Sequence, residues 1–217
     1  MEKFEDSYRA RGLRRLLVKE ITAKGITSKE VLNAIGKIPR HAFFDSVFLE
    51  HAYEDKAFPI GEGQTISQPF TVAFQTELLQ LSPGQKILEI GTGSGYQAAV
   101  LSELGAEVFT VEYNKKIYQK TLMFLPKLGY NPFFFHGDGS LGLPQHAPYD
   151  GIIVTAGAPT VPNALITQLK IGGILVIPVG NEKHQKMLSL KKISENNVSK
   201  KEFSQFSFVP LLGKDGW

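Results

Sequence analysis

The stretch that decides the fold is Lys86-Ile87-Leu88-Glu89-Ile90-Gly91-Thr92-Gly93-Ser94-Gly95-Tyr96-Gln97. An apolar run gives way to three glycines at alternate positions, and a helical pattern begins at Tyr96. Glycine allows positive φ and a close approach of a ligand to the backbone, and a helix start presents unpaired N–H groups. The order strand, glycine turn, helix therefore predicts a corner that binds a nucleoside-containing cofactor.

The spacing of the glycines narrows the choice of cofactor. The pattern is Gly-x-Gly-x-Gly, and Tyr96 stands where the dinucleotide fingerprint has its third glycine. This difference favours S-adenosylmethionine, which has no pyrophosphate to bind, over NAD. The simpler alternative is an ordinary strand-to-helix turn that binds nothing.

Composition excludes several other classes of function. The net charge of +3 is small and its charges are interspersed, without arginine clusters or an aromatic stacking platform, so no nucleic-acid partner is expected. The chain has no cysteine, which excludes thiol catalysis and thiolate metal sites, and its histidines lack metal-ligand spacing. Residues 1–6 are polar and acidic, unlike a signal peptide, and the apolar run 171–179 is broken by glycines and a proline. We therefore expect a cytoplasmic protein, a monomer, with no membrane or nucleic-acid partner and no metal.

The N-terminal third reads as a helical layer. Apolar residues recur at helical spacing from Phe4 to Ala23, and a second helix follows Ser28 and ends before Pro39. The segment 40–63 has no clear period and predicts an irregular layer. The segment 61–69 predicts a loop that runs into a helix, with Ser67 as its N-cap.

The rest of the chain alternates strands and helices. Apolar, turn-bounded segments predict strands near 86–90, 107–111, 132–136, 150–155 and 173–178. Helical patterns lie between them, at about 96–104, 114–129 and 162–169. Residues 187–193 and 203–209 predict two antiparallel strands at the sheet edge, joined by a turn over 194–201. The architecture expected is an open α/β sheet, mostly parallel, with an N-terminal helical layer.

Polar residues stand at the predicted carboxyl ends of these strands, where open α/β sheets bind ligands. Glu112 ends the second strand of the run and can accept both hydroxyls of a ribose; otherwise it is a solvated acid at a helix start. Asp138 lies between glycines after the third strand and can accept an adenine amino group; otherwise it forms an Asx turn. Together with the glycine turn, these positions predict a nucleoside pocket.

The loop Gln64-Thr65-Ile66-Ser67-Gln68-Pro69 is the other unusual stretch. The Ser67 hydroxyl could donate to a carboxylate, with support from N–H groups of the following helical turn, or it could only cap that helix. His41 is a candidate base, although such a histidine more often packs and hydrogen-bonds.

At these residues the chain resembles the protein-L-isoaspartate O-methyltransferases, the bacterial type especially. The similarity extends from about Ile35 to Val179, and weaker similarity is present in 208–211 and 213–217. The glycine block would fit many methyltransferases. The stretches Pro39-Arg40-His41 and Ile60 to Pro69 are more specific to this family.

The resemblance implies a doubly wound, seven-stranded methyltransferase fold that binds S-adenosylmethionine and releases S-adenosylhomocysteine. It implies methyl transfer to the α-carboxyl of L-isoaspartyl residues in damaged proteins and peptides, a protein-repair reaction, with Ser67 as the catalytic residue. The substrate is expected to contact Thr65, Ile66, Ser67 and Val209. The cofactor contacts expected are Glu89, Gly91, Thr92, Gly93, Gly95, Glu112, Gly137 and Asp138.

We expect a single domain over 1–217. Its N-terminal helices and substrate loop occupy 1–83, its cofactor-binding core 84–180, and its C-terminal antiparallel strands 181–217. Two other functions remain open on the sequence: a nicotinamide-dependent oxidoreductase, against which Tyr96 argues, and a non-catalytic nucleoside-binding module, against which the complete Gln64–Ser67 loop argues.

Overall fold

The N-terminal layer consists of three helices and a short hairpin, in a computed structural model that describes residues 6–217. Its elements are α1 (Tyr8–Ala23), α2 (Lys29–Lys37), β1 (Phe58–Gly61), β2 (Gln64–Ile66) and α3 (Pro69–Leu79). The first two helices are where the periodicity predicts them, and Ser28 caps α2 by accepting the N–H of Val31 at 3.2 Å. Residues 1–5, where the predicted first helix and the polar N-terminal stretch begin, lie outside the described residues.

The hairpin β1–β2 corrects the prediction of an irregular layer over 40–63 followed by a loop over 61–69. Phe58 pairs with Ile66 and Pro59 with Thr65, in antiparallel register. Strands of four and three residues are too short to show a two-residue alternation, so the sequence pattern could not indicate them. Two 3₁₀ turns, Arg40–Phe43 and Ser46–His51, fill the segment before the hairpin.

The N-cap of α3 is a second correction. The cap is Gln68 rather than Ser67, and Pro69 is the first helical residue. Proline favours the first position of a helix, which places the cap directly before it. Ser67 therefore lies one residue outside the helix, in the link between the hairpin and α3.

The second half of the chain forms one seven-stranded sheet with the order β5-β4-β3-β6-β7-β8-β9. The five parallel strands come first along the chain, and β8 and β9 continue the sheet in antiparallel fashion. The strands are β3 (Lys86–Ile90), β4 (Glu107–Glu112), β5 (Phe133–His136), β6 (Tyr149–Val154), β7 (Leu169–Gly180), β8 (Gln185–Ser194) and β9 (Asn197–Phe206). The predicted open, mostly parallel sheet is confirmed.

Helices α4 (Tyr96–Glu103), α5 (Lys115–Phe124) and α6 (Asn163–Thr167) connect the parallel strands. The helix predicted over 114–129 ends early, and a 3₁₀ turn follows with Pro126 in its first positions, because proline removes a helical hydrogen bond. The predicted turn over 194–201 is also wrong, since β8 and β9 extend to leave two residues between them. Most positions of β9 are exposed, and this strand forms the edge of the sheet.

The strand order determines where a ligand site can lie. Strand β3 lies between β4 and β6, so the connections after β3 and β4 run to one side and those after β6 to the other. A crevice therefore opens beyond the carboxyl ends of these strands. Among residues 6–217, none of the helices has the length and apolar character needed to span a bilayer.

Candidate active site

A cavity occupies this crevice, bounded by the N-terminal layer, the glycine turn and the C-terminal tail. Separate stretches of the chain thus converge on one space. The lining residues are Gln64–Ser67, Val72, Ile90–Ser94, Tyr96, Gln97, Val111–Asn114, Gly139, Thr155, Ala156 and Val209–Leu212.

The glycine turn forms the wall of the cavity at the end of β3. Gly91 and Gly93 have φ of 95° and 52°, a region that side chains disfavour. A Cβ at Gly91 would also lie 2.5 Å from Oγ1 of Thr155. Gly95 has another role, because a Cβ there would meet Thr121 of α5 at 2.9 Å and not the cavity. Two of the three glycines thus keep the cavity wall open, and the third allows helix packing.

Glu112 is fixed at the cavity wall beside this turn. Its carboxylate accepts the N–H of Gly93 at 2.9 Å through Oε2 and the N–H of Asn114 at 2.8 Å through Oε1. A carboxylate oxygen can accept more than one hydrogen bond, so both oxygens keep capacity for ligand hydroxyls. Tyr113, half exposed, and Asn114 line the same wall. Neither residue is among the cofactor contacts predicted from the sequence, although both directly follow the predicted strand that ends at Glu112.

Glu89 lies beneath the turn rather than on the cavity surface. It is fully buried, and its Oε2 accepts the hydroxyl of Thr110 at 2.5 Å. The Thr110 hydroxyl lies 2.6 Å from that of Thr92, which does line the cavity. Burial raises the pKa of Glu89 to about 8, so the carboxyl is mostly protonated at neutral pH. Its connection with the cavity runs through the two threonine hydroxyls.

Asp138 and Gly137 also lie outside the residues that line the cavity. Asp138 Oδ1 accepts the N–H and the hydroxyl of Ser140, and Oδ2 accepts the N–H of Lys214 at 2.8 Å. Burial alone would raise the pKa of Asp138, but these hydrogen bonds outweigh it and lower the pKa. The Asx turn considered from the sequence is present, and the carboxylate also anchors the C-terminal tail.

The C-terminal tail forms another wall of the cavity. The Gly157 N–H donates to Val209, and the Gly157 carbonyl accepts from the N–H of Leu211, both at 2.8 Å. The indole N–H of Trp217 donates to the same carbonyl at 3.0 Å. These bonds hold Val209–Leu212 against the end of β6, where all four residues face the cavity.

Ser67 stands where the cavity meets a second, more open space. A groove of about 830 Å³ adjoins the cavity and shares Thr65, Ser67, Thr155 and Val209 with it. The Ser67 hydroxyl donates to no group within residues 6–217, and the Ser67 carbonyl accepts a hydrogen bond from Arg40. All four predicted substrate contacts (Thr65, Ile66, Ser67, Val209) therefore line the cavity.

His41 is placed away from this junction. It is not among the cavity-lining residues, and its Nδ1 lies 2.6 Å from the hydroxyl oxygen of Tyr53. This arrangement fits the packing and hydrogen-bonding alternative considered from the sequence. Residues 6–217 contain no cluster of three or more histidine or acidic side chains that could hold a metal ion.

Comparison with known proteins decides the family. The family model for protein-L-isoaspartate(D-aspartate) O-methyltransferase matches residues 13–216. The chain belongs to this family. It is 61% identical over 213 residues to the protein-L-isoaspartate O-methyltransferase of Cytophaga hutchinsonii, covering 98% of this chain and 96% of that one. It is 57% identical to the enzyme of the same name from Christiangramia forsetii, covering 96% and 98% of the two chains.

Solved structures agree with this assignment. A protein-L-isoaspartate O-methyltransferase of 34% identity superposes with a TM-score of 0.83 over 93% of this chain and 66% of the other. A Plasmodium falciparum structure, solved in complex with S-adenosyl-L-homocysteine, has 22% identity and a TM-score of 0.79, over 92% of this chain and 98% of the other. The second likeness concerns the fold alone.

The chain is thus an S-adenosylmethionine-dependent methyltransferase of the protein-repair type, which methylates the α-carboxyl of L-isoaspartyl residues. Its protein substrates carry that damage. The family and its named relatives do not support the nicotinamide-dependent alternative. The cavity fits the cofactor, because Gly91 and Gly93 line it without side chains and the Glu112 carboxylate, fixed by the N–H groups of Gly93 and Asn114, lines the same space.

Proposed function

We propose that Ser67 is the residue that orients the isoaspartyl carboxylate for methyl transfer. The observation that carries this proposal is the position of its hydroxyl, which has no hydrogen-bond acceptor within residues 6–217 and lies where the cavity and the groove meet. The acceptor peptide occupies the groove, against Thr65 and Val209, and Ile66 lines the cavity next to Ser67. Its carboxylate points into the cavity at Ser67.

The chemistry needs orientation more than it needs a base. A carboxylate is already nucleophilic at neutral pH, and S-adenosylmethionine, when bound, supplies an electrophilic methyl group on a sulfonium. Opposite charges are neutralised along the reaction, so strong binding of the carboxylate anion would oppose it, while positioning and exclusion of water would help. The cavity lining contains no lysine or arginine, and a single hydroxyl can orient the carboxylate without an ion pair.

The cofactor residues divide into two groups in this proposal. Gly91, Thr92, Gly93 and Glu112 line the cavity and contact the cofactor directly. The other predicted cofactor residues, which are Glu89, Gly95, Gly137 and Asp138, act from outside the lining by supporting the turn, its threonines and the tail. A direct contact between Asp138 and adenine stays a prediction.

We also propose that residues 1–217 act as one domain, a cytoplasmic monomer that binds neither nucleic acid nor membrane. The small, interspersed net charge of +3 and the lack of cysteine support this proposal. Light scattering coupled to size-exclusion chromatography tests the monomer, and a dimer mass would contradict it.

The test of the Ser67 role is Ser67→Ala, with Ser102→Ala as the matched control. Ser102 lies in α4, away from the cavity, and donates to the carbonyl of Ala98. Loss of the group that orients the carboxylate predicts a fall in kcat of about 10- to 100-fold, with S-adenosylhomocysteine affinity within about twofold. A collapse of cofactor affinity, or an unchanged kcat, would contradict the proposal. Ser102→Ala should retain wild-type kcat.

A further inference from the structure

Two buried charged side chains, Arg40 and Asp55, hold the chain at Ser67 and directly after it and have no place in the reaction described so far. Arg40 is fully buried, and the side chain of Asp55 is 1% exposed. Burial of charged groups is costly unless their hydrogen bonds are made. The partners of these two side chains therefore show what the arrangement holds in place.

Arg40 holds the main chain of the acceptor loop. Its Nη2 donates to the carbonyl of Ser67 at 2.9 Å, and its Nε donates to the carbonyl of Ala52 at 3.1 Å. Both acceptors are neutral main-chain carbonyls and not a carboxylate. The planar guanidinium therefore fixes the backbone at two points through separate N–H groups.

Arg40 also contacts the cofactor corner. Its guanidinium carbon lies 4.6 Å from the ring centre of Tyr96, a cation–π contact. Tyr96 is the first residue of α4 after the glycine turn and lines the cavity. One side chain thus connects the loop of the methyl acceptor with the corner of the methyl donor.

Asp55 holds the residues that directly follow Ser67. Its Oδ1 accepts the N–H of Phe70 at 2.7 Å, and its Oδ2 accepts the side-chain amide of Gln68 at 2.9 Å. Oδ2 also pairs with Lys24 at 2.6 Å. Gln68, the N-cap of α3, has no side-chain capping bond of its own, so Asp55 takes over that task from outside the helix.

We propose that Arg40 and Asp55 are positioning residues for the methyl transfer. Arg40 holds the carbonyl of Ser67 itself, and Asp55 holds Gln68 and Phe70 directly after it, so that the Ser67 hydroxyl stays at the junction of cavity and groove. This inference rests on the proposed role of Ser67. It adds that the reaction depends on a charged framework that touches neither substrate nor cofactor.

The test is a double-mutant cycle between Arg40→Lys and Ser67→Ala. Lysine keeps the charge but cannot reproduce the fork of donors. The matched control is Arg14→Lys. Arg14 is also buried and donates through Nε to a backbone carbonyl, that of Gly36 at 2.8 Å, but its contacts lie in the helical layer and not on the acceptor loop.

We expect Arg40→Lys to lower kcat by about tenfold or more, with the dissociation constant of S-adenosylhomocysteine changed by less than about threefold. In the Ser67→Ala background the same substitution should lower kcat by less than about threefold, because the hydroxyl that it positions is gone. Arg14→Lys should lower Tm without lowering kcat.

Two results would overturn the inference: a kcat for Arg40→Lys near that of the wild type, or an equal loss in both backgrounds. A wild-type kcat for Ser67→Ala would instead overturn the role of Ser67 itself, so the two failures are distinguishable. If Arg40→Lys does not fold, Asp55→Asn replaces it in the same cycle. Equal losses with and without Ser67 would again count against the inference.

Discussion

At the residue scale, Glu112 shows how one side chain joins two parts of the cofactor site. Its two oxygens accept N–H groups from the glycine turn and from the residues after β4. Glu112→Gln places an amide N–H₂ against one of these donors, which should loosen the turn and raise the dissociation constant of S-adenosylhomocysteine at least about tenfold. Isothermal titration calorimetry measures the change. Glu107→Gln, at the exposed start of the same strand, should leave the affinity intact, and an equal effect of both variants would contradict the assignment.

Glu89 gives a prediction about pH. Its pKa is about 8 in the folded protein, mainly through burial, against an ordinary value of 4.5. Between these values the folded state binds one proton more than the unfolded state. The stabilising contribution of the protonated carboxyl is therefore complete below about pH 4.5 and is lost as the pH rises through about 8. Relative to Glu89→Gln, the free energy of unfolding should fall by about 1.4 kcal/mol per pH unit at the steepest.

Urea denaturation of wild type and Glu89→Gln across this range measures the slope. Because both proteins share every other titrating group, the difference isolates residue 89. Parallel stability curves would show that Glu89 is ionised in the folded state.

The place of a single residue can be predicted from the sequence where its position at the end of a strand alone determines it. Glu112 lines the cavity, and its place there can be inferred from the sequence because it ends a strand whose pattern is clear. Glu89 is the penultimate residue of β3. Its contact with Thr110 depends on the pairing of β3 with β4, which cannot be inferred from the sequence pattern. The prediction of Ser67 as the helix cap is wrong by one residue, because Pro69 takes the first helical position and Gln68 precedes it.

At the element scale, the C-terminal tail is a structural wall of the cavity. Val209–Leu212 face the cavity, and residues 213–217 fasten them through Asp138 and Gly157. Removal of residues 213–217 should weaken binding of S-adenosylhomocysteine by about three- to tenfold, since the hydrogen bonds of Lys214 and Trp217 are lost.

Calorimetric titration of the truncated protein measures this effect, and wild-type affinity would show that the tail is not needed for the cavity. Lys200→Ala, on the exposed edge strand β9, is the control and should bind as the wild type does.

Elements differed in how far the sequence could specify them. Parallel strands buried on both faces give long apolar runs, and these were found to within a few residues. The hairpin β1–β2 was missed because its strands are short and its pairing, not its composition, defines it. The strands β8 and β9 were predicted too short because their polar ends resemble a turn.

At the scale of the whole molecule, the sheet topology brings together residues that lie far apart in the sequence. The acceptor loop, the glycine turn, the end of β4 and the tail meet because β3 lies between β4 and β6. The alternation of strands and helices was sufficient to predict this crevice. The path of the tail back to β6 was not predictable, because it depends on hydrogen bonds to Gly157 rather than on a pattern.

The central claim is that one cavity places a methyl donor against a carboxylate held at Ser67, and that the adjoining groove accepts isoaspartyl chains. The most direct test uses two peptides that differ only in an isoaspartyl or an aspartyl linkage at one position, with S-adenosylmethionine labelled in its methyl group. We predict transfer of label to the isoaspartyl peptide and at most about a hundredth of that rate to the aspartyl peptide, since a misplaced carboxylate loses its orientation. Equal labelling of the two peptides would contradict the account.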